Sequence, residues 1–223
     1  MNLALFDLDN TLLPLDSDYE WGQFLVRAGA VDPVSFTQRN QIFYEQYQNG
    51  SLNPVEYLEF AFGTLSRFPR RQLDEWHTQF MTDIIVPAIH PAARALVTEH
   101  QNAGELVAII TATNRFVTAP IAQAFGVQHL IAAEPELAEG GEITGRLIGT
   151  PPFGNGKVLN THEWLASLGK TLGDFERTTF YSDSQNDIPL LSAVSHPIAT
   201  NPNASLRAHA ERHNWPILQL FDD

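Results

Sequence analysis

Residues 1–13 read MNLALFDLDNTLL, and this stretch decides the fold. Asn2 to Phe6 form a short apolar run that stops at two acids, Asp7 and Asp9. A run without polar alternation suits a strand buried on both faces of a parallel sheet. The acids then lie at the carboxyl end of that strand, where open α/β sheets bind their ligands. The same acids break the apolar run, no basic segment precedes it, and no later run reaches ~18 apolar residues. Neither a signal peptide nor a membrane span is expected, and the expected location is cytoplasmic.

Downstream the texture changes. From about Asp18 to Asp83, Tyr, Phe, Gln and Glu recur at helical spacing, as in FTQRNQIFYEQYQNG and PVEYLEFAFGTL. Asn49-Gly50 and Asn53-Pro54 punctuate the stretch, which predicts three to five helices and no strand. An alternating pattern follows. HPAARALVTEHQNAG reads as a helix ending at Gly104, ELVAIITAT as a second buried strand, RFVTAPIAQAFG as a helix ending at Gly126, and VQHLIAAEPEL as a short strand. GGEITGRLIG predicts a β-hairpin, GKVLNTHEWLASLG a helix, RTTFYSDSQND a strand ending in acids, and IPLLSAV a helix. PIATNP is the last predicted strand and SLRAHAERHNW the last helix. Such alternation implies an α/β fold with right-handed crossovers and a parallel sheet.

Of 223 residues, 43% are apolar, a share typical of a folded protein. Twenty-six acids face 13 bases, for a net charge of -13. That balance argues against a partner such as nucleic acid or an anionic membrane, which would want a basic face. A small phosphorylated metabolite stays compatible, because a site can be locally positive in an acidic protein. The absence of cysteine excludes disulfides, thiolate metal sites and a cysteine nucleophile. The eight histidines are scattered, with no HExxH or paired spacing, which argues against a zinc hydrolase.

Four motifs carry chemistry. In Asp7-Leu8-Asp9-Asn10-Thr11, Asp7 suits a nucleophile towards phosphorus. Asp9 suits a general acid for the leaving oxygen and then a base for water. A plain Asx turn explains the same pair. In Ile109-Ile110-Thr111-Ala112-Thr113, a hydroxyl at a strand end beside the amides of a helix start can cradle phosphate; Thr113 or Asn114 could instead be no more than a helix cap. Lys157, in Gly154-Asn155-Gly156-Lys157, can neutralise phosphate charge, although a lysine after glycine is commonly just solvated. It is no nucleotide P-loop, since the glycine spacing is wrong and Val158 replaces the metal-binding hydroxyl. In Tyr181-Ser182-Asp183-Ser184-Gln185-Asn186-Asp187, two acids four residues apart can converge on a hard cation such as Mg2+. Caps of a strand-to-helix turn are the plainer reading.

Taken together and in order, the four motifs resemble those of the haloacid dehalogenase superfamily. There the pattern is DxDx(T/V), then Ser or Thr, then Lys or Arg, then a pair of acids. The match is Asp7, Asp9 and Thr11, then Thr111, Lys157, and Asp183 with Asp187, spanning nearly the whole chain. Within the superfamily the chain is similar to the phosphoserine-phosphatase-like branch; GEITG at residues 141–145 is also typical of it. The resemblance implies a Rossmann-like parallel-sheet core, residues 1–14 and 86–223, and an inserted all-helical cap, residues 15–85. It implies a Mg2+-dependent phosphomonoester hydrolase in which Asp7 attacks phosphorus and forms a phospho-aspartate. The implied metal ligands are Asp7, the backbone carbonyl of Asp9, Asp183, and Asp187 directly or through water. Thr111, the amide of Ala112 and Lys157 would hold the phosphoryl oxygens, and Asn186 would orient the site or bind phosphate. An aspartate at position 9 suits a phosphatase; dehalogenases of the superfamily lack that acid, and P-type ATPases carry lysine there.

The cap of phosphoserine phosphatases resembles GKLNFEQSLRKRV, whose second arginine clamps the substrate carboxylate. Here Gly50 to Phe62 read GSLNPVEYLEFAF, so that arginine falls on Ala61 and the preceding one on Glu59. A carboxylate-bearing ester loses its bidentate partner. Asp16, Asp18 and Glu20, beside Tyr19 and Trp21, would instead suit a cationic amino-alcohol phosphate. Helix-dipole acids are the plainer reading. The opening DLDNTLL…DSDYEWGQFL is also similar to proteins assigned as histidinol-phosphate phosphatases. L-histidinol phosphate is therefore the expected substrate, ahead of phosphoserine or another amino-alcohol phosphate. A phosphotransferase and a non-catalytic phosphate-binding module are the rival classes. The aromatic stripe Phe43, Tyr44, Tyr47, Tyr57 and Phe60 reads first as packing, with the alternative that some members line the cleft between cap and core.

Overall fold

The structure, a computed structural model, describes residues 1–221. β1 (Leu3–Phe6) is followed by α1 (Ser17–Arg27), α2 (Pro33–Asn49), α3 (Pro54–Leu65), α4 (Arg70–Phe80) and α5 (Val86–Ala88). A π-helical turn, Met81–Ile85, joins the last two. The remainder alternates: α6 (Pro91–Asn102), β2 (Leu106–Asn114), α7 (Arg115–Ala124), β3 (His129–Leu137), β4 (Ile143–Ile148), α8 (Asn155–Ser167), β5 (Thr178–Ser182), α9 (Ile188–Ala193), β6 (His196–Thr200), α10 (Ala204–His213) and β7 (Ile217–Leu218).

The strands form one sheet in the order β4-β3-β2-β1-β5-β6-β7. All neighbours are parallel except β3 and β4. β1 is central and completely buried. Its side chains alternate between two apolar layers, as the pleat requires. Ala4 and Phe6 face a layer with Val97 of α6 and Val117 and Ile121 of α7. Leu3 and Leu5 face one with Leu165 of α8, Leu191 of α9 and Leu206 of α10. Helices therefore cover both faces, which is the Rossmann-like doubly wound arrangement. Phe6 also stacks on Tyr181 of β5, ring centroids 4.8 Å apart and 8° from parallel. Among the described residues no single helix is long and apolar enough to cross a membrane.

Two expectations need correction. GGEITGRLIG is not itself a hairpin. Ile143–Ile148 is one arm, the end of β3 is the other, and Glu134 lies opposite Ile148. The turn is closed by the Gly141 amide donating to the Ala138 carbonyl at 3.0 Å. A further strand, β7, follows the strand expected to be last and pairs with β6. At two residues it is too short to leave a periodic signal. The helical run Arg70–Ala88 continues through residues 85 and 86. Pro87 cannot donate to the carbonyl one turn back, and the backbone widens into the π turn just before it.

Candidate active site

β1 lies where the crossovers change direction, with β2 on one side and β5 on the other, so a crevice opens at its carboxyl end. Asp7 follows the strand directly, and its amide donates to the Tyr181 carbonyl at 2.9 Å. Asn10 adopts left-handed backbone, φ 58°, which asparagine tolerates better than most residues. The resulting turn carries Thr11 back beside Asp7. Thr11 Oγ1 lies 3.2 Å from Asp7 Oδ2 and 3.2 Å from Asp183 Oδ1, and it accepts from the Asp183 amide at 3.0 Å. Two carboxylate oxygens thus converge on one hydroxyl.

Lys157 stands in the first turn of α8 and is buried. Its Nζ donates to Asp7 Oδ1 at 2.7 Å and to Asp187 Oδ2 at 2.6 Å. The preceding glycine makes this approach possible: a Cβ on Gly156 would sit 2.0 Å from the Pro151 carbonyl oxygen. Ser182 Oγ also donates to Asp187 Oδ2, at 2.7 Å. Asp187 therefore orients Lys157 towards Asp7.

Asp9 turns its carboxylate away from this cluster. It accepts from the Ser17 amide at 2.8 Å and from Thr113 Oγ1 at 2.8 Å, with Thr111 Oγ1 at 3.5 Å. The helix cap anticipated near Thr113 belongs to Asn114, whose side chain accepts from the Val117 amide at 3.0 Å. That leaves Thr111 at the crevice, accepting from the Thr113 amide at 3.1 Å. Thr113, Ser17 and Ser182 escaped the sequence reading. The only signal for Thr113 was a second hydroxyl at the same strand end.

The electrostatics are lopsided. Asp7, Asp9, Asp183 and Asp187 are all nearly or fully buried, and among the described residues Lys157 is the one cation bonded to any of them, to Asp7 and Asp187. Burial raises Asp7 above the usual carboxylate range, against the pull of Lys157. Burial likewise raises Asp9, against the hydrogen bonds from Ser17 and Thr113. Asp183 is held well above its ordinary value by burial and then by its neighbours Asp7 and Asp187. Burial pushes Asp187 up to about 6, opposed by Lys157. Lys157 itself is raised, because Asp187 and Asp7 outweigh the effect of burial.

A cavity opens above this cluster. Asp7, Asp9, Thr111 and Ala112 form its floor, and Asp16, Asp18 and a set of aromatic side chains line the rest. Phe43, Tyr44, Tyr47 and Tyr57 are among its walls, so most of the stripe read as packing faces the cavity; Phe60 packs on Phe36 instead. Among the described residues no Lys, Arg or His lines it. Asp16 caps α1, its Oδ1 accepting from the amides of Asp18 and Tyr19 at 3.1 and 2.8 Å. Asp18 is 6% exposed and accepts from Tyr57 Oη and, at 3.1 Å, from Asn114 Nδ2.

Two expected site residues stand elsewhere. Glu20, one helical step beyond the wall, is half-buried and does not line the cavity. Asn186 does not line it either, and its Nδ2 donates at 3.2 Å to the Tyr47 carbonyl of α2. One of its two amide N–H groups thus holds α2 against the Gln185–Asp187 turn.

Residues 4–192 match the family model of haloacid dehalogenase-like hydrolases, and the chain belongs to that family. It is 43% identical over 219 residues to a histidinol-phosphatase of Neisseria meningitidis serogroup C (strain 8013), covering 98% of this chain and 99% of that one. A crystal structure of a Bordetella pertussis Tohama I protein of unknown function superposes with a TM-score of 0.93 at 51% identity, covering 99% of both chains. A phosphoserine phosphatase solved as a phospho-aspartyl intermediate analogue shares the fold, with a TM-score of 0.68 at 20% identity over 99% of this chain and 94% of that one. Within its family, the chain is a phosphatase acting on phosphoric monoesters.

Proposed function

We propose that the chain hydrolyses L-histidinol phosphate through a phospho-aspartate on Asp7, with Mg2+ as cofactor. Residues 15–85 serve as a cap over a core of residues 1–14 and 86–223. The observation that carries the substrate reading is the cavity itself. A floor of Asp7, Asp9, Thr111 and Ala112 meets walls of carboxylates and aromatic rings, and among the described residues no cation lines it to receive a substrate carboxylate. Asp16 Oδ2 has no hydrogen-bond partner among the described residues and can accept a substrate ammonium. The 43% identical histidinol-phosphatase supports the same reading.

The donor set fits Mg2+. Asp7 Oδ2 and Asp183 Oδ1 lie on either side of Thr11 Oγ1, and the buried acids outnumber the one lysine. Among the described residues no three His, Asp or Glu side chains suffice to hold a metal alone. Mg2+ does not need them, because it keeps several waters and shares phosphate oxygens. Asp7, Asp183 and the Asp9 carbonyl would hold it; when bound, the ion neutralises charge on the cluster and on the transferred group. Asp187 enters through Lys157.

Asp7 attacks phosphorus while the P–O bond to the alcohol breaks. Asp9, raised by burial, gives its proton to the departing alkoxide. Lys157, Thr111 and the Ala112 amide stabilise the equatorial oxygens. Water then attacks the aspartyl phosphate and yields its proton to Asp9, the P–O bond to Asp7 breaks, and inorganic phosphate leaves with Asp7 restored.

Phosphate release measured on a panel of monoesters, with and without Mg2+, tests the proposal. Release from L-histidinol phosphate should far exceed release from phosphoserine. Equal or reversed rates refute the substrate, and turnover by Asp7→Asn refutes the nucleophile.

A further inference from the structure

Resting on that reading, we infer that Asp18 is a specificity-determining residue. Positioned by Tyr57 and Asn114, its carboxylate accepts an N–H from a flat nitrogen heteroaromatic ring at the end of the ester remote from phosphate. The ring lies against the aromatic side chains of α1 and α2.

Asp18 lines the same cavity as Asp7 and Thr111, yet it is almost completely buried. Its two protein partners, the Tyr57 hydroxyl and the Asn114 amide, are neutral. Among the described residues no basic side chain lines the cavity to balance it. A buried carboxylate without a counter-charge is costly. If the residue served only to clip α3 to the start of α7, a neutral amide would do so at lower cost. Each carboxylate oxygen keeps a lone pair beyond the bonds described, so a ligand donor can still be received.

The surroundings select the kind of donor. Tyr19 and Tyr44 are a tilted pair, centroids 4.9 Å apart, and Phe43 meets Tyr57 edge-on at 5.3 Å. Leu52, Pro54 and Leu58 complete this part of the wall. Such a surface suits a flat π system carrying partial positive charge better than a small hydrated ammonium. The ammonium has its own place at Asp16, which sits at the helix cap with one oxygen free. Two acids in unlike settings thus match two nitrogen functions on one ester. Burial also pushes the Asp18 carboxyl up to about 7, within reach of an imidazole, whose own pKa is ~6.5. A proton can pass between them at little cost.

The test compares kcat/KM for L-histidinol phosphate and for 2-aminopropyl phosphate, which keeps the amine and ester but lacks the ring. Full-length enzyme with Mg2+ is used, and the readout is the ratio of the two values. Asp18→Asn should lower the ratio at least tenfold. Tyr57→Phe, which removes the hydroxyl but keeps the ring, should lower it about threefold, and it decides the matter alone if Asp18→Asn does not fold. A wild-type preference for the ring-bearing ester that both variants retain within twofold overturns this inference and leaves the substrate reading intact. A wild-type enzyme with no such preference overturns the substrate reading and this inference with it.

Discussion

Asp18→Asn should stabilise the metal-free protein, and by more at pH 8 than at pH 5. Asp18 rises from 3.8 to about 7 on folding, chiefly because it is buried. A carboxyl raised by folding contributes most stability below its unfolded value, and that contribution is lost as pH climbs through the folded value. Each factor of ten in the proton equilibrium is worth about 1.4 kcal/mol, so above pH 7 the wild-type chain carries a cost of about 4 kcal/mol. At pH 5 the folded carboxyl holds its proton, and the cost falls to about 2 kcal/mol. Asparagine does not titrate. It keeps one acceptor for Tyr57 and gives up roughly 1 kcal/mol with the Asn114 bond, a loss equal at both pH values. The advantage of the variant should therefore grow by roughly 2–3 kcal/mol from pH 5 to pH 8. Urea unfolding in EDTA, followed by far-ultraviolet circular dichroism on both chains at both pH values, measures it. A difference between the chains that is constant to within ~0.5 kcal/mol, the size of an ordinary surface effect, would refute the reasoning.

Lys157→Met leaves Asp7 and Asp187 facing each other without a cation, so unfolding free energy should drop by about 3–5 kcal/mol. Phosphate release should fall roughly 10²–10³-fold or more, as when an oxyanion donor is removed. EDTA should abolish turnover and Mg2+ restore it. At Mg2+ about 100-fold above its Kd, the gain of about 2.7 kcal/mol should raise Tm, and Asp183→Asn should erase that rise. Phe6→Ala, which removes a fully buried ring stacked on Tyr181, should cost about 3–5 kcal/mol in urea unfolding.

The floor of the site was legible because each of its residues punctuates a local pattern. Asp7 and Thr111 follow apolar runs that read as buried strands, Asp183 follows the β-prone segment Thr178–Ser182, and Lys157 follows a glycine that admits close backbone approach. The walls were not legible. Tyr57 reaches Asp18 across 39 residues and Asn114 reaches it across 96, so no spacing signals either contact. The aromatic stripe looked like core because helical periodicity reports only which face is apolar. It does not say whether that face meets protein or a cavity. Asn186 shows a related limit: it stands beside Asp183 and Asp187 in sequence, but its side chain donates to a backbone carbonyl of α2. β7 pairs by backbone alone over two residues, below the length at which side-chain pattern carries information.

The central place of β1 bears on how a chain can acquire its shape during synthesis. β1 pairs on one side with residues near 106 and on the other with residues near 178, Leu3 lying beside both Leu106 and Thr178. Until the ribosome has delivered the fifth strand, one flank of this apolar tetrapeptide has no hydrogen-bonding neighbour and invites a foreign one. Chains cut short before Thr178 should accordingly remain open to proteases and prone to clumping. Asp7, at the end of β1, likewise waits for both flanking strands before its surroundings exist.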